Sequence, residues 1–228
     1  PKTWKAKMSG IYSDFEVGMK LATQDGMKPD PVITDRKGGY FIGFSLHQSV
    51  TEQVAEFASR AKALVPSLVV YQESNLHTTI SDLGVTANFV PGASKDHDLI
   101  LQKLSRAVTA TQSLRYSVGC SYKNGFIFNQ TTGILRGVPS ESFLAYAELA
   151  IAKAKEEGIE LRLPWGSHVS FARTSEVVTA EDAVKLAKLC KIFPISKNFW
   201  GQFVSLNAGF SWVSKGKFNV EYAISRPL

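Results

Sequence analysis

The chain has 228 residues, with 26 Lys and Arg against 20 Asp and Glu for a net charge of +6, and it is 44% apolar and 20% charged. This composition excludes disordered, collagen-like and disulfide-stapled classes, because a chain of this length buries roughly 70% of its unfolded surface without covalent help. Cys120 and Cys190 lie in no CxxC or Cys/His cluster, which argues against structural zinc and for a reducing compartment, cytoplasmic first and nuclear second. No run approaches the roughly 18 apolar residues of a membrane span, and Pro1-Lys2-Thr3-Trp4-Lys5 is no signal core, so a soluble protein is expected. The pI near 9.3 is compatible with a polyanionic partner.

Residues 1–38 are Lys-rich, with one short helical signal at Ser13-Asp14-Phe15-Glu16 and breakers at Asp25-Gly26, Pro29, Pro31 and Gly38-Gly39; they read as an arm or lid ahead of a domain over 39–228. Tyr40, Ile42, Phe44 and Leu46 alternate as a strand, and Val54, Phe57, Ala58, Ala61 and Leu64 follow at helical spacing until Pro66. Strands are predicted at 68–71 and 77–83, then a helix capped by Ser94 with Ile100, Leu101, Leu104 and Val108 on one stripe. The alternation from Leu114 to Tyr122, the turn pair Asn124-Gly125, and Phe126 with Phe128 predict a hairpin. A strand over 134–138, a helix from Ser140 to Gly158, a strand around 168–172 and a helix from near Thr179 come next. Two strands around Lys215-Gly216 finish the chain. The class is α+β, and each half holds one histidine-bearing strand.

Four histidines compete for a chemical role. His97 falls in the first turn of the Ser94 helix and reads as a surface or capping residue. His47 ends a strand with Ser49 placed to cap the next helix, so its His-x-Ser pattern reads as structural. His77 and His168 differ because their segments continue as strands, and period 2 puts Thr79 beside His77 and Ser170 beside His168. The alternative for either motif alone is a half-buried strand histidine with a hydrogen-bonded neighbour.

His77-Thr78-Thr79-Ile80-Ser81-Asp82-Leu83-Gly84 resembles the first signature of the 2H phosphoesterases, His-x-Thr-apolar-x-x-Leu-Gly. His168-Val169-Ser170-Phe171-Ala172-Arg173 resembles the second, usually His-Val-Thr-Leu-Ala-Arg, and the 91 positions from 77 to 168 are similar to the family's interval. The resemblance covers about residues 40–225 and implies a bilobal fold, two pseudo-symmetric β/α lobes with antiparallel sheets around a central cleft. Residues 1–38 match nothing in it. Departures are Ser170 for Thr, Phe171 for Leu, Asp82 for an aromatic and Ser167 for Pro. By alternation Asp82 is expected to face away from the cleft, and Arg173 to be a structural or surface ion-pair residue.

The chemistry fits those residue types: in-line cleavage of a phosphodiester needs a base, an acid and donors to the non-bridging oxygens. His77 and His168 would be the acid/base pair, in either order, and Thr79 and Ser170 the donors. The pH profile is expected to be a bell with its maximum between about pH 6 and 7.5. Trp165 is a candidate base-stacking platform, with core or rim packing as its alternative, and Tyr40 and Arg136 are further substrate-binding candidates. No metal motif, Walker loop or nucleophile elbow is present, so no metal and no cofactor is expected. The resemblance implies a metal-independent phosphodiesterase on RNA ends or small cyclic nucleotides, with a 2′,3′-cyclic phosphate or a 2′-5′ linkage favoured; the sequence leaves the oligomeric state open, a monomer being the favoured expectation. A cyclic-oligonucleotide or 3′-end RNA phosphodiesterase, a catalytically silent RNA-binding module and a zinc hydrolase stand as alternatives.

Overall fold

A computed structural model describes residues 2–114, 117–122, 125–163, 166–195 and 199–228. The first element is a long helix, α1 (Lys2–Asp25), closed where Gly26 takes a left-handed backbone at φ +85°. Met8, Tyr12, Phe15 and Ala22 fall on one face and are buried, which is why the helix runs far beyond the short signal expected from Ser13 to Glu16. A one-turn helix, α2 (Pro31–Thr34), follows, with Asp30 as N-cap accepting from the Val32 amide at 2.7 Å.

The remaining strands form two antiparallel sheets. The larger contains β1 (Gly39–Leu46), β3 (His77–Asp82), β4 (Gly119–Ser121), β7 (Val138–Pro139), β9 (Trp200–Ser214) and β10 (Lys217–Pro227), in the order β3-β1-β9-β4-β7 with β10 also on β9. The smaller has the order β2-β8-β6-β5, from β2 (Leu68–Val70), β5 (Phe126–Phe128), β6 (Thr132–Leu135) and β8 (Val169–Thr174). The helices are α3 (Gln48–Leu64), α4 (His97–Ala110), α5 (Glu141–Glu156) and α6 (Ala180–Ile192). This is the expected α+β architecture of two antiparallel-sheet lobes around a cleft.

The lobes are not the two halves of the sequence. Helix α3 follows β1 yet packs on the other sheet, where Phe57 stacks on Phe126 at 3.9 Å and meets Phe171 edge-on at 5.2 Å. Conversely, α5 follows strands of both sheets and packs on the larger, Phe143 and Tyr146 each lying 5.7 Å from Phe44. The chain crosses between lobes repeatedly, and the predicted hairpin is where this matters most. Its first arm, β4, pairs with β7 and β9, and its second, β5, pairs with β6 in the other sheet. Gly125 does adopt a left-handed φ of +71°, while Asn124 lies outside the described residues. Both strands are buried almost throughout, so alternation could not name their partners. The strand predicted over 134–138 likewise divides into β6 and β7, and between them the Gly137 carbonyl accepts from Tyr12 and Ser167 hydroxyls, both at 2.9 Å.

Residues 1–38 join this core through α1, and Val32, Lys37 and Gly38 line the cleft. Ser49 is not the cap of α3. His47 is, its Nδ1 accepting from the Ser49 amide at 3.2 Å. The helix predicted from Ser94 starts at His97 with Asp96 as N-cap, and Ser94 accepts from the Asp96 amide at 3.2 Å.

Candidate active site

His77 opens β3 at the edge of the larger sheet, and His168 immediately precedes β8 in the smaller one. Each is followed two residues later by a hydroxyl, and His77, Thr79, His168 and Ser170 line one cleft of about 250 Å³ between the sheets. The strands share a further feature. On β3 the pairing with β1 runs Thr79 with Gly43 and Ser81 with Ile42, so Ile80 is an extra residue. On β8 the pairing with β6 runs Ser170 with Ile134 and Ala172 with Gly133, so Phe171 is extra. Each histidine strand therefore carries a β-bulge at the residue after its hydroxyl.

A one-residue bulge reverses which face every later side chain takes. Ile80 and Phe171 turn fully into the core, and Asp82 and Arg173, which strict alternation sends away, come back to line the cleft. Asp82, expected to face away, and Arg173 thus depart from strict alternation for one reason. Asp82 pairs with Arg162 at 3.0 Å and accepts from the Gly84 amide at 2.6 Å. Arg173 does form the expected ion pair, with the buried Asp30 at 2.6 Å, and it also donates to the Tyr71 hydroxyl at 2.6 Å and the Thr132 hydroxyl at 3.1 Å. Asp30 accepts from Thr132 as well, at 2.7 Å, so the guanidinium is held by groups from the N-terminal segment, β6 and the residue after β2.

The His77 ring stacks on Phe41 with centroids 4.6 Å apart and planes 18° from parallel. Its Nδ1 lies 2.8 Å from the Asn75 carbonyl, which can only accept, so Nδ1 carries the hydrogen and Nε2 is left for proton transfer. Asn75 is itself anchored, its side-chain amide donating to the Phe218 carbonyl at 2.8 Å. Burial lowers the pKa of His77 below its ordinary 6.5, against a smaller upward pull from Asn75. Burial also pushes His168 down to about 3, helped by the positive charges of Arg173 and His77.

Among the other candidates, Tyr40 borders the cleft, but its hydroxyl is engaged by His97 Nδ1 at 2.8 Å and its ring packs against Phe89 and Phe210. His97, expected as a surface or capping residue, is in fact a partner of this aromatic group, edge-on to Phe210 at 4.9 Å. Arg136 does not line the cleft: it pairs with Glu16 of α1 at 2.9 Å. Trp165 lies outside the described residues. The sequence reading missed Lys37, Phe41, Tyr71 and Asp30; only Asp30 left a signal, as an N-cap before Pro31, and nothing local announces its bond to Arg173. Among the described residues, no group of three or more His, Cys, Asp or Glu converges to hold a metal ion.

No protein-family model and no curated protein matches the chain. Among solved structures it is similar to E. coli LigT in apo form, at 18% identity and a TM-score of 0.49 over 85% of this chain and 98% of that one. It is also similar to a phosphoesterase, at 16% identity and 0.46 over 83% and 97%, and to Kluyveromyces marxianus Usb1, at 15% and 0.42 over 85% and 99%. These are likenesses at low identity, and the chemistry below rests on the residues of this cleft.

Proposed function

We propose that the cleft cleaves phosphodiesters by two-histidine acid/base catalysis without a metal, acting on RNA ends or small nucleotides, with a 2′,3′-cyclic phosphate or a 2′-5′ linkage as the favoured bond. The observation that carries this reading is the convergence of two bulged His/hydroxyl strands, one from each sheet, on a single cleft beside Arg173 and Lys37. For a cyclic phosphate, one imidazole takes a proton from water as its oxygen bonds to phosphorus. The bond to one ribose oxygen breaks, and the other imidazolium gives that oxygen its proton. Each turnover moves one proton from ring to ring, and exchange with solvent restores the pair.

Thr79 and Ser170 supply donors to the non-bridging oxygens, where negative charge gathers in the transition state. The anion has a second role. Burial disfavours protonation of either histidine, and a phosphate between them offsets that penalty, so the substrate itself draws the required proton into the site. A product-resolved assay with 2′,3′-cyclic nucleotides, 2′-5′ adenylates and 3′-5′ cyclic dinucleotides tests the proposal. Turnover of at least one of the first two, abolished in His77→Ala and His168→Ala, is expected; a folded protein that turns over none of the three overturns it.

A further inference from the structure

A second groove, of about 350 Å³, lies behind one wall of the catalytic cleft, and its lining includes Arg36, Asn88, Phe89, Trp212 and Lys215 but no Asp or Glu. Neither Arg36 nor Lys215 forms an ion pair among the described residues. The Trp212 ring, half-buried and backed by Phe210 at 5.3 Å, lines the groove together with two exposed cations. This is the pairing of stacking surface and positive charge that single-stranded nucleic acid uses.

The segment before β1 builds the wall between groove and cleft. Gly38 and Thr86 exchange backbone hydrogen bonds at 3.1 and 2.9 Å, the Asn88 amide donates to the Asp35 carbonyl at 2.8 Å, and the Phe89 amide to the Arg36 carbonyl at 3.2 Å. At Gly38 an added Cβ would stand 2.3 Å from the Ser211 carbonyl oxygen, 2.7 Å from Phe89 and 2.9 Å from Trp212 Cα, so the wall is one backbone thick. Ser211 and Gly38 line the cleft on one side of it, and Trp212 and Phe89 line the groove on the other. Arg36, Asn88 and Lys215, at φ +49°, +51° and +50°, are also the three described non-glycine residues with left-handed backbone. Glycine is the least strained choice at such positions, and the chain places long cations at two of them.

We propose that this groove binds nucleotides adjoining the reacting end of a single-stranded oligoribonucleotide, with a base stacked on Trp212 and phosphates met by Arg36 and Lys215. The end it serves rests on the phosphodiesterase reading of the cleft; the groove makes an oligonucleotide, rather than a mononucleotide, the preferred substrate. Fluorescence anisotropy of a 5′-fluorescein hexaribonucleotide ending in a 3′-phosphate, against the full chain, tests this without needing turnover. In the double variant Arg36→Gly, Lys215→Asn both replacements suit the left-handed backbone, and Asn before Gly216 is a favoured turn pair, so the fold is kept. The hexamer should bind about tenfold more weakly at about 0.1 M salt, with the salt slope smaller by about 1.4, roughly 0.7 for each lost phosphate contact. Trp212→Leu should weaken it by a similar factor, and uridine 3′-monophosphate should compete equally well in all forms. A parent that does not bind the hexamer, a double variant that binds it like the parent, or an equal loss for the mononucleotide overturns the groove. If hexamer binding falls as expected but no phosphodiester is ever turned over, the groove stands and the catalytic reading falls; turnover of cyclic mononucleotides with hexamer binding unchanged has the opposite meaning.

Discussion

The two histidines owe their proposed roles to where they sit rather than to what they are. A strand histidine at ordinary pKa would place the activity maximum near neutrality, but both rings are held below 6.5, His168 at about 3. Only the singly protonated pair is productive, so kcat/KM should peak between the two lowered values and fall through pH 6.5 as the last proton leaves. The profile measured with a saturating anionic substrate should lie further to the alkaline side, because kcat reports the complex. A chelator should leave both curves unchanged, and a kcat/KM maximum at or above pH 6.5 would contradict the assignment. In the same assay His77→Ala and His168→Ala should each lose at least about 100-fold, and Thr79→Ala or Ser170→Ala roughly 10²- to 10³-fold. His47→Ala should lose almost nothing, since that ring is exposed, caps α3 beyond the end of β1 and does not line the cleft.

At the scale of the strand, the matched bulges decide what reaches the cleft. Each faces a glycine across the pairing: Gly43 beside the Ile80 bulge and Gly133 beside the Phe171 bulge. A Cβ at Gly133 would stand 2.6 Å from Phe128 and 2.7 Å from Phe171, both fully buried, so neither ring has room to give way. Gly133→Ala should therefore cost about 1–3 kcal/mol in denaturant unfolding and reduce turnover by displacing Ser170. Gly216, with open space around its Cβ direction, is the control for crowding, though its φ of +69° still penalises a side chain. An unchanged midpoint and unchanged rate in Gly133→Ala would show that the bulge tolerates a side chain and that the close approach is not what shapes this end of the site.

At the scale of the molecule, the site exists only because two sheets are held together. Tyr71 stacks on Phe218 at 4.0 Å, the Asn75 amide reaches the Phe218 carbonyl, and Arg173 ties β8 to Asp30. The burial that lowers both histidine pKa values also makes the fold acid-sensitive. Their folded pKa values lie below the unfolded value of about 6.5, so between pH 6.5 and about 3 the unfolded chain binds more protons, and stability must fall as pH falls through that window. The loss at pH 4 should be of the order of a few kcal/mol, with carboxylate protonation adding at the lower end. His168→Gln keeps a polar side chain and removes the titration, so its Tm should depend less steeply on pH than the parent's between 6.5 and 4; parallel curves would mean that His168 is not desolvated in the fold.

The local elements and the two histidine motifs are legible in the order of residues alone, because helical stripes at Val54 to Ala61, alternation from Tyr40 to Leu46, and helix starts at Ser140 and Thr179 are short-range signals that survive in the fold. That order also separates His77 and His168 from His47 by strand continuity alone. Whatever depends on partners distant in the chain was set by the three-dimensional fold. It sent β4 and β5 to different sheets although they read as one hairpin, because strands buried on both faces carry no mark of their neighbour. It brought Asp82 and Arg173 to the cleft, because a bulge is a property of a pair of strands and cannot be seen in one. It gave Arg136 to α1 and Asp30 to Arg173 across more than a hundred positions, since an ion pair answers to distance in space, which the order of residues along the chain does not encode.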